Sequence, residues 1–233
     1  MQNTSNIAII QARVDSTRLH NKIFLKIGKY KLIDWVILRL KKSKKINKII
    51  LSIPISKKND PLKSLGIKHE LEVVRGDEQN VFKRFLKSIK KINNSNIIRV
   101  CADNPLVDSN HVDLLIEFFD SNNFDFAYNH RPLGKCKYPD GFGAEIFKSE
   151  TFKKISSENL EKSQKEHVTK YFFDNKDHYK ISFLQANKNL CYPKMKFDID
   201  TKDDLNYMNN LINEKKINLY DSAEDIIKKI IKK

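Results

Sequence analysis

Long apolar runs are missing from this 233-residue chain. None approaches the ~18–20 residues that a bilayer-spanning helix needs. The polar N-terminus, with only a very short apolar stretch, lacks the make-up of a secretory leader. Cysteine is scarce: Cys101, Cys136 and Cys191 are widely spaced and odd in number, with no CxxC pair and no Cys/His ligand spacing. That supports neither a disulfide framework nor a zinc site, and the cytoplasm is the expected setting. The glycines of a GxxxxGK[ST] phosphate loop are absent. So are internal repeats, low-complexity linkers and composition breaks, so residues 1–233 are expected to form one domain with a well-buried core. Acidic residues are outnumbered, 29 against 44 Lys plus Arg, for a formal net charge of +15. Such an excess suits nucleic acid or an anionic membrane. Here, however, the surplus is nearly all Lys, spread evenly among many Ile and Asn. No basic cluster with aromatic stacking platforms accompanies it. Most of these charges are expected on solvated faces, with no nucleic-acid partner and no membrane span.

What is present is an alternation of short apolar runs and amphipathic segments. "NIAIIQA" reads as a buried strand, and Gly28 marks a turn before the helix "LIDWVILRLKKS", whose apolar residues recur at helical spacing. "KIILSIP" and "HELEVVRG" read as the next strands. "NVFKRFLKSIKKI" follows as a helix capped by Asn80, then strand "NIIRV", helix "HVDLLIEFF" and strand "FDFAYN". This order predicts an α/β fold with a mostly parallel sheet covered on both faces. Past residue 130 the rhythm breaks. A loop and strand over "RPLGKCKYPDGFGAEIF", one or two helices up to Asp174, strands "YKISFLQA" and "MKFDID", and helices from about Lys202 and Ser222 make an elaborated C-terminal third. The final basic, amphipathic "AEDIIKKIIKK" is expected to close the surface rather than lie on a membrane.

Ligands of open α/β sheets bind at the carboxyl ends of the strands. The first strand runs straight into a loop with Arg13, Ser16, Thr17, Arg18 and Lys22, a set that suits an anion of several charges. His20, in the same loop, is expected either to touch phosphate or to cap the loop. Two further strand ends carry acids: Asp103 in "CADNPLVD", and Asp198 and Asp200 in "FDIDTKDDL". One of the latter pair with Asp103 would serve Mg²⁺, an ion usually held by one or two carboxylates plus substrate phosphates. Asp203 and Asp204 read as acids of a helix's first turn.

At this point the residues carry a resemblance. "IIQARVDSTRLHNK" resembles "IIQARxxSTRLPGK", the N-terminal signature of the spore-coat polysaccharide biosynthesis protein F-like cytidylyltransferases, relatives of the synthetases that activate 3-deoxy-manno-octulosonate and of the acylneuraminate cytidylyltransferases. Blocks "VVRGDEQNVFKRF", "RVCADNPLVD", "YPDGFGAEIF", "KEHVTKYF" and "FDIDTKDDL" are similar to further family blocks in the same order. The departures are His20-Asn21 for Pro-Gly, Ala102 for Gly, Asn104 for Cys and Lys165 for Arg.

The resemblance implies a Rossmann-like fold of the nucleotide-diphospho-sugar transferase type. It implies Mg²⁺-dependent transfer of CMP from CTP to a sugar acceptor, expected to be acidic, with release of pyrophosphate, for surface polysaccharide or glycoconjugate synthesis. Arg13, Lys22 and Asp103 would be catalytic. Ala12, Arg13, Ser16, Arg18, Lys22, Arg75, Gly76 and Asp103 would bind the nucleotide, and Asp103 and Asp200 the metal. Asp140, Gly141, Glu145, Glu166 and His167 would face the acceptor, and a homodimer is implied. A glycosyltransferase using a nucleotide-sugar donor is the alternative on the same fold, although the cations of the first loop exceed what a diphosphate donor needs.

Overall fold

The computed structural model describes residues 4–130 and 136–232. The expected loop after residue 130 therefore lies partly outside the described residues. The strands are β1 Ser5–Gln11, β2 Lys26–Ile27, β3 Tyr30–Lys31, β4 Lys48–Pro54, β5 Glu72–Gly76, β6 Ser95–Cys101, β7 Phe126–Tyr128, β8 Glu145–Lys148 and β9 Ile181–Phe183. The helices are α1 Leu32–Leu40, α2 Asp60–Lys68, α3 Val81–Ile89, α4 Ser109–Asp120, α5 Ser149–Lys153, α6 Lys162–Glu166, α7 Lys170–Asp174, α8 Lys202–Glu214 and α9 Ala223–Ile231.

Seven strands make one sheet in the order β5-β4-β1-β6-β8-β7-β9, while β2 and β3 form a small antiparallel hairpin. Pairings β5·β4, β4·β1, β1·β6 and β7·β9 are parallel, and only β8 runs against its neighbours. Central strands buried on both faces require continuous apolar runs. Ile7–Ile10 of β1 and Ile50, Leu51 and Ile53 of β4 meet that demand, all being buried. The chain moves outward from β1 through β4 to β5, then returns to β6 on the other flank of β1. The order of strands reverses between β1 and β6, and that is where an open α/β sheet forms its ligand crevice.

Three local expectations change. Helix α2, within "KKNDPLKSLGIK" between two expected strands, was not anticipated. Yet Pro61 lies in its first turn, where a missing N–H costs nothing. Three short helices rather than one or two occupy 149–174. "MKFDID" is not a strand: it makes an isolated bridge, Lys196 to Asp140, and the Ile199 N–H bonds the Asp103 carbonyl at 3.0 Å instead of extending a ladder. Elsewhere Asn80 caps α3, accepting from the Lys83 N–H at 2.9 Å. Helix α9 buries Ala223, Ile226 and Ile227 against the core, as a closing surface helix should.

Candidate active site

Residues Gln11 on β1 and Cys101 on β6 are register partners at the carboxyl edge of the sheet. The loops leaving these two strands form the walls of a cleft of about 330 Å³. Its lining includes Gln11, Ala12, Arg13, Ser16, Thr17, Arg18, Lys22, Arg84, Arg99, Cys101, Asp103, Glu166, His167 and Asp200. Residues from five separate parts of the chain thus share one concavity.

At its centre the Lys22 ammonium donates to Asp103 Oδ2 and to Asp200 Oδ1, both at 3.1 Å. The Arg18 guanidinium reaches Asp200 Oδ2 at 3.0 Å. Backbone chemistry explains the convergence. Lys22 opens a 3-10 turn whose N-cap, Asn21, is left-handed with φ 52°. Asn tolerates that conformation better than other non-glycine residues, so Asn21 can stand at a left-handed position where the family signature has glycine. The Ile199 N–H bond to the Asp103 carbonyl sets Asp200 beside Asp103. Asp200 is also fixed from behind, because Asp204 Oδ2 accepts from the backbone N–H groups of Asp200 and Thr201 at 2.9 and 2.8 Å. Asp204 and Thr201 form the capping box of α8, which confirms the first-turn reading of Asp204. The loop carrying Asp103 is braced by buried Arg39, which donates to the carbonyls of Leu106 at 3.3 Å and Val107 at 2.7 Å.

Glu166 and His167, expected to face the acceptor, line this same cleft from the end of α6. Ala12 also lines it, but its N–H is already donated to the Ser52 carbonyl at 3.2 Å. His20 lines a separate cavity on the other side of the loop.

Several expected contacts are replaced. Arg75 does not line the cleft: it pairs with Asp60 at 2.6 Å and donates to the carbonyls of Ile55 and Ser56, tying β5 to the loop after β4. Gly76 has a packing role, since a Cβ there would lie 2.9 Å from the Arg84 Cα. Gly141, at φ 99°, lets the 197–198 backbone approach: a Cβ would lie 3.0 Å from the Phe197 carbonyl carbon. Asp140 does not line the cleft, and burial raises its carboxyl above the ordinary range. Nearby, burial and then the charge of Asp140 raise Asp198 to about 6.

Glu145, expected to touch the acceptor, is fully buried instead. Its carboxylate holds Arg99 at 2.6 Å, His130 at 2.9 Å and the Thr169 hydroxyl at 2.8 Å. Burial alone would raise its carboxyl, but Arg99, His130 and the hydrogen bonds hold it well below the usual carboxylate range. Its effect on the cleft is indirect, through Arg99.

Arg84 and Arg99 were both missed in the sequence because each sits inside a regular element. The available signal was a cation on an otherwise apolar stripe: Arg84 is buried among Val81, Phe82, Phe85 and Ile89 of α3. Burial pushes the Cys101 thiol up to about 12, so it is no nucleophile at neutral pH.

Among the described residues no group of three or more His, Cys, Asp or Glu side chains has the arrangement of a metal site. Asp103 and Asp200 remain. Two carboxylates already converging on one cation are a hard-oxygen donor pair of the number Mg²⁺ takes beside substrate phosphates, so the residues present fit that ion.

The cytidylyltransferase family model matches residues 7–229. The chain belongs to this family. It is 32% identical over 202 residues to the spore coat polysaccharide biosynthesis protein SpsF of Bacillus subtilis (strain 168), covering 84% of this chain and 81% of that protein. Among solved structures it is similar to a cytidylyltransferase from Leptospira borgpetersenii, with a TM-score of 0.87 and 26% identity, covering 97% of this chain and 94% of that one. The fold is also that of CMP:2-keto-3-deoxy-manno-octonic acid synthetase complexed with CTP, at a TM-score of 0.67 and 13% identity, covering 91% and 99%. The α/β fold and nucleotidyltransferase class expected from the sequence therefore hold. Among the described residues no helix is long and apolar enough to cross a membrane.

Proposed function

We propose that this protein transfers the cytidylyl group of CTP to a hydroxyl of an acidic sugar, releasing pyrophosphate, in the synthesis of a surface polysaccharide or glycoconjugate. The observation that carries this reading is the shared Lys22 ammonium between Asp103 and Asp200 at the strand-order reversal. Support comes from the family, from the name of the B. subtilis relative, and from the CTP complex among the structural neighbours.

The cationic loop binds the triphosphate. Arg13 and Arg18 are exposed and Ser16 half-buried, and all three can donate to phosphate oxygens once Arg18 leaves Asp200. Lys22 passes from its carboxylate partners to the phosphates and stabilises the charge that builds up as pyrophosphate leaves. Asp103 and Asp200 would hold Mg²⁺, which when bound neutralises phosphate oxygens and orients the groups in line. On the acceptor side, Arg99 is oriented by Glu145 and lies in the same lining as Glu166 and His167. A fixed guanidinium there suits the carboxylate of an acidic sugar. Positioning and electrostatics suffice for such a transfer, and no covalent nucleophile is required.

The test is incubation with CTP, Mg²⁺ and matched panels of sugar acids and neutral sugars. Pyrophosphate release with formation of a CMP-sugar is expected from at least one acid. Folded protein that fails to release pyrophosphate from CTP with every acceptor in the panel overturns the reading.

A further inference from the structure

Arg84 is 1% exposed, yet it lines the cleft. Its Nη1 donates to the Asp77 carbonyl at 2.7 Å and, at 3.4 Å, to that of Glu78, while its Nε has no partner. Among the described residues no carboxylate pairs with it. A buried ion is costly unless it is paired and fully hydrogen-bonded. Burial and then the charge of Arg13 push the Arg84 guanidinium down to about 10, more than the nearby Glu78 and Asp77 carboxylates offset. The backbone keeps the residue there nonetheless, since Gly76 leaves room for the Arg84 Cα and Cγ that any Cβ would invade at 2.9 Å.

We infer that Arg84 and Arg13 together form a second anion receptor in the cleft, on the α3 wall, which takes phosphoryl oxygens of a polyphosphate. Two neighbouring guanidiniums, one of them buried and unpaired, are stabilised by an anion between them, and a phosphoryl group offers the planar, multi-oxygen edge that Arg recognises. Lys22, and a divalent cation that Asp103 and Asp200 would hold, would then engage the polyphosphate from one wall and the two arginines from the other. This deepens the proposed nucleotide binding and rests on it for the identity of the ligand. The polyphosphate chemistry is shared by the bound nucleotide and by the pyrophosphate that leaves.

The experiment is calorimetric titration of the full chain with inorganic pyrophosphate, CTP and CMP, comparing wild type with Arg84→Gln and Arg84→Lys. Pyrophosphate and CTP affinities are expected to fall at least ~10-fold in Arg84→Gln, with CMP affected less, and Tm unchanged or higher because an uncompensated buried charge is gone. Arg84→Lys, which keeps charge but not the fork, is expected to recover part of the loss and provides the reading if the glutamine variant does not fold. A fall for CTP alone assigns the receptor to the intact nucleotide, and a fall for both assigns it to the leaving group as well. Unchanged binding with a lowered Tm shows Arg84 only props the Asp77–Glu78 turn and overturns the inference. Wild-type binding of CTP without any cytidylyl transfer would sink the proposed reaction and leave this receptor standing.

Discussion

Two charged clusters lie four residues apart along β6 and the turn that follows it, and they are built for opposite purposes. At the strand tip, Asp103 and Asp200 share Lys22 with side chains 32%, 24% and 12% exposed. Within the sheet, Arg99 pairs with its register partner Glu145 on β8, with side chains 13% and 2% exposed. The first cluster is partly solvated, and its cation can exchange one anionic partner for another at little cost. In the second, Glu145 is sealed while Arg99 still lines the cleft: Glu145 uses both oxygens on Arg99, His130 and Thr169, and cannot change partners without stranding a charge. The difference separates groups that can meet a substrate from groups that hold such groups in place, even where both were expected at the site.

Breaking the sealed cluster should cost most. Glu145→Gln leaves Arg99 buried beside a neutral partner, and a loss of about 3–5 kcal/mol in unfolding free energy is expected from denaturant midpoints. The pH dependence follows from the depressed carboxyl. Its contribution is fully present above the unfolded value near 4.5 and is lost as pH falls below it toward the folded value. The variant should lack that acid-side loss. Equal stability of variant and wild type at pH 7 would erase the distinction between the clusters.

Next come Asp103→Asn and Lys22→Ala, where turnover should drop on the order of 10²-fold, equivalent to ~2.7 kcal/mol of barrier. Unfolding free energy should shift by no more than about 1 kcal/mol, as for other solvated pairs. Near-wild-type turnover in both would remove these residues from the machinery. Smaller still is Gly76→Ala, which forces a methyl against the Arg84 backbone and should cost ~1–3 kcal/mol of stability. It should also weaken pyrophosphate binding if Arg84 has to shift. A variant with reduced stability and intact pyrophosphate affinity would confine that contact to packing.

Much of the site was legible because its members sit where strands end, and strand ends are visible as apolar runs stopping at polar residues. Asp103 was found that way, Lys22 in the loop after the first strand, and Asp200 at the end of an expected strand that the chain does not form; the structure brings all three within contact distance. Arg75 and Glu145 show the limit of the approach. Both belong to family-like blocks, yet one is spent on Asp60 and the other on Arg99, because charge pairing across elements depends on which strands become neighbours. Arg99 and Arg84 were hidden inside a strand and a helix, where a cation reads as an ordinary polar position until its burial is known.

The order of apolar runs and turn residues was enough to determine the α/β class, the location of the cationic loop after β1, the cap at Asn80 and the first-turn acids Asp203 and Asp204, since each depends on neighbours within a few residues. Tertiary structure alone decided that β8 inserts antiparallel between β6 and β7, that residues 196–200 dock through Ile199 onto Asp103, and which cations are paired or left without a counter-ion. These outcomes turn on contacts between segments separated by tens to nearly two hundred residues, and no local preference of the chain encodes them.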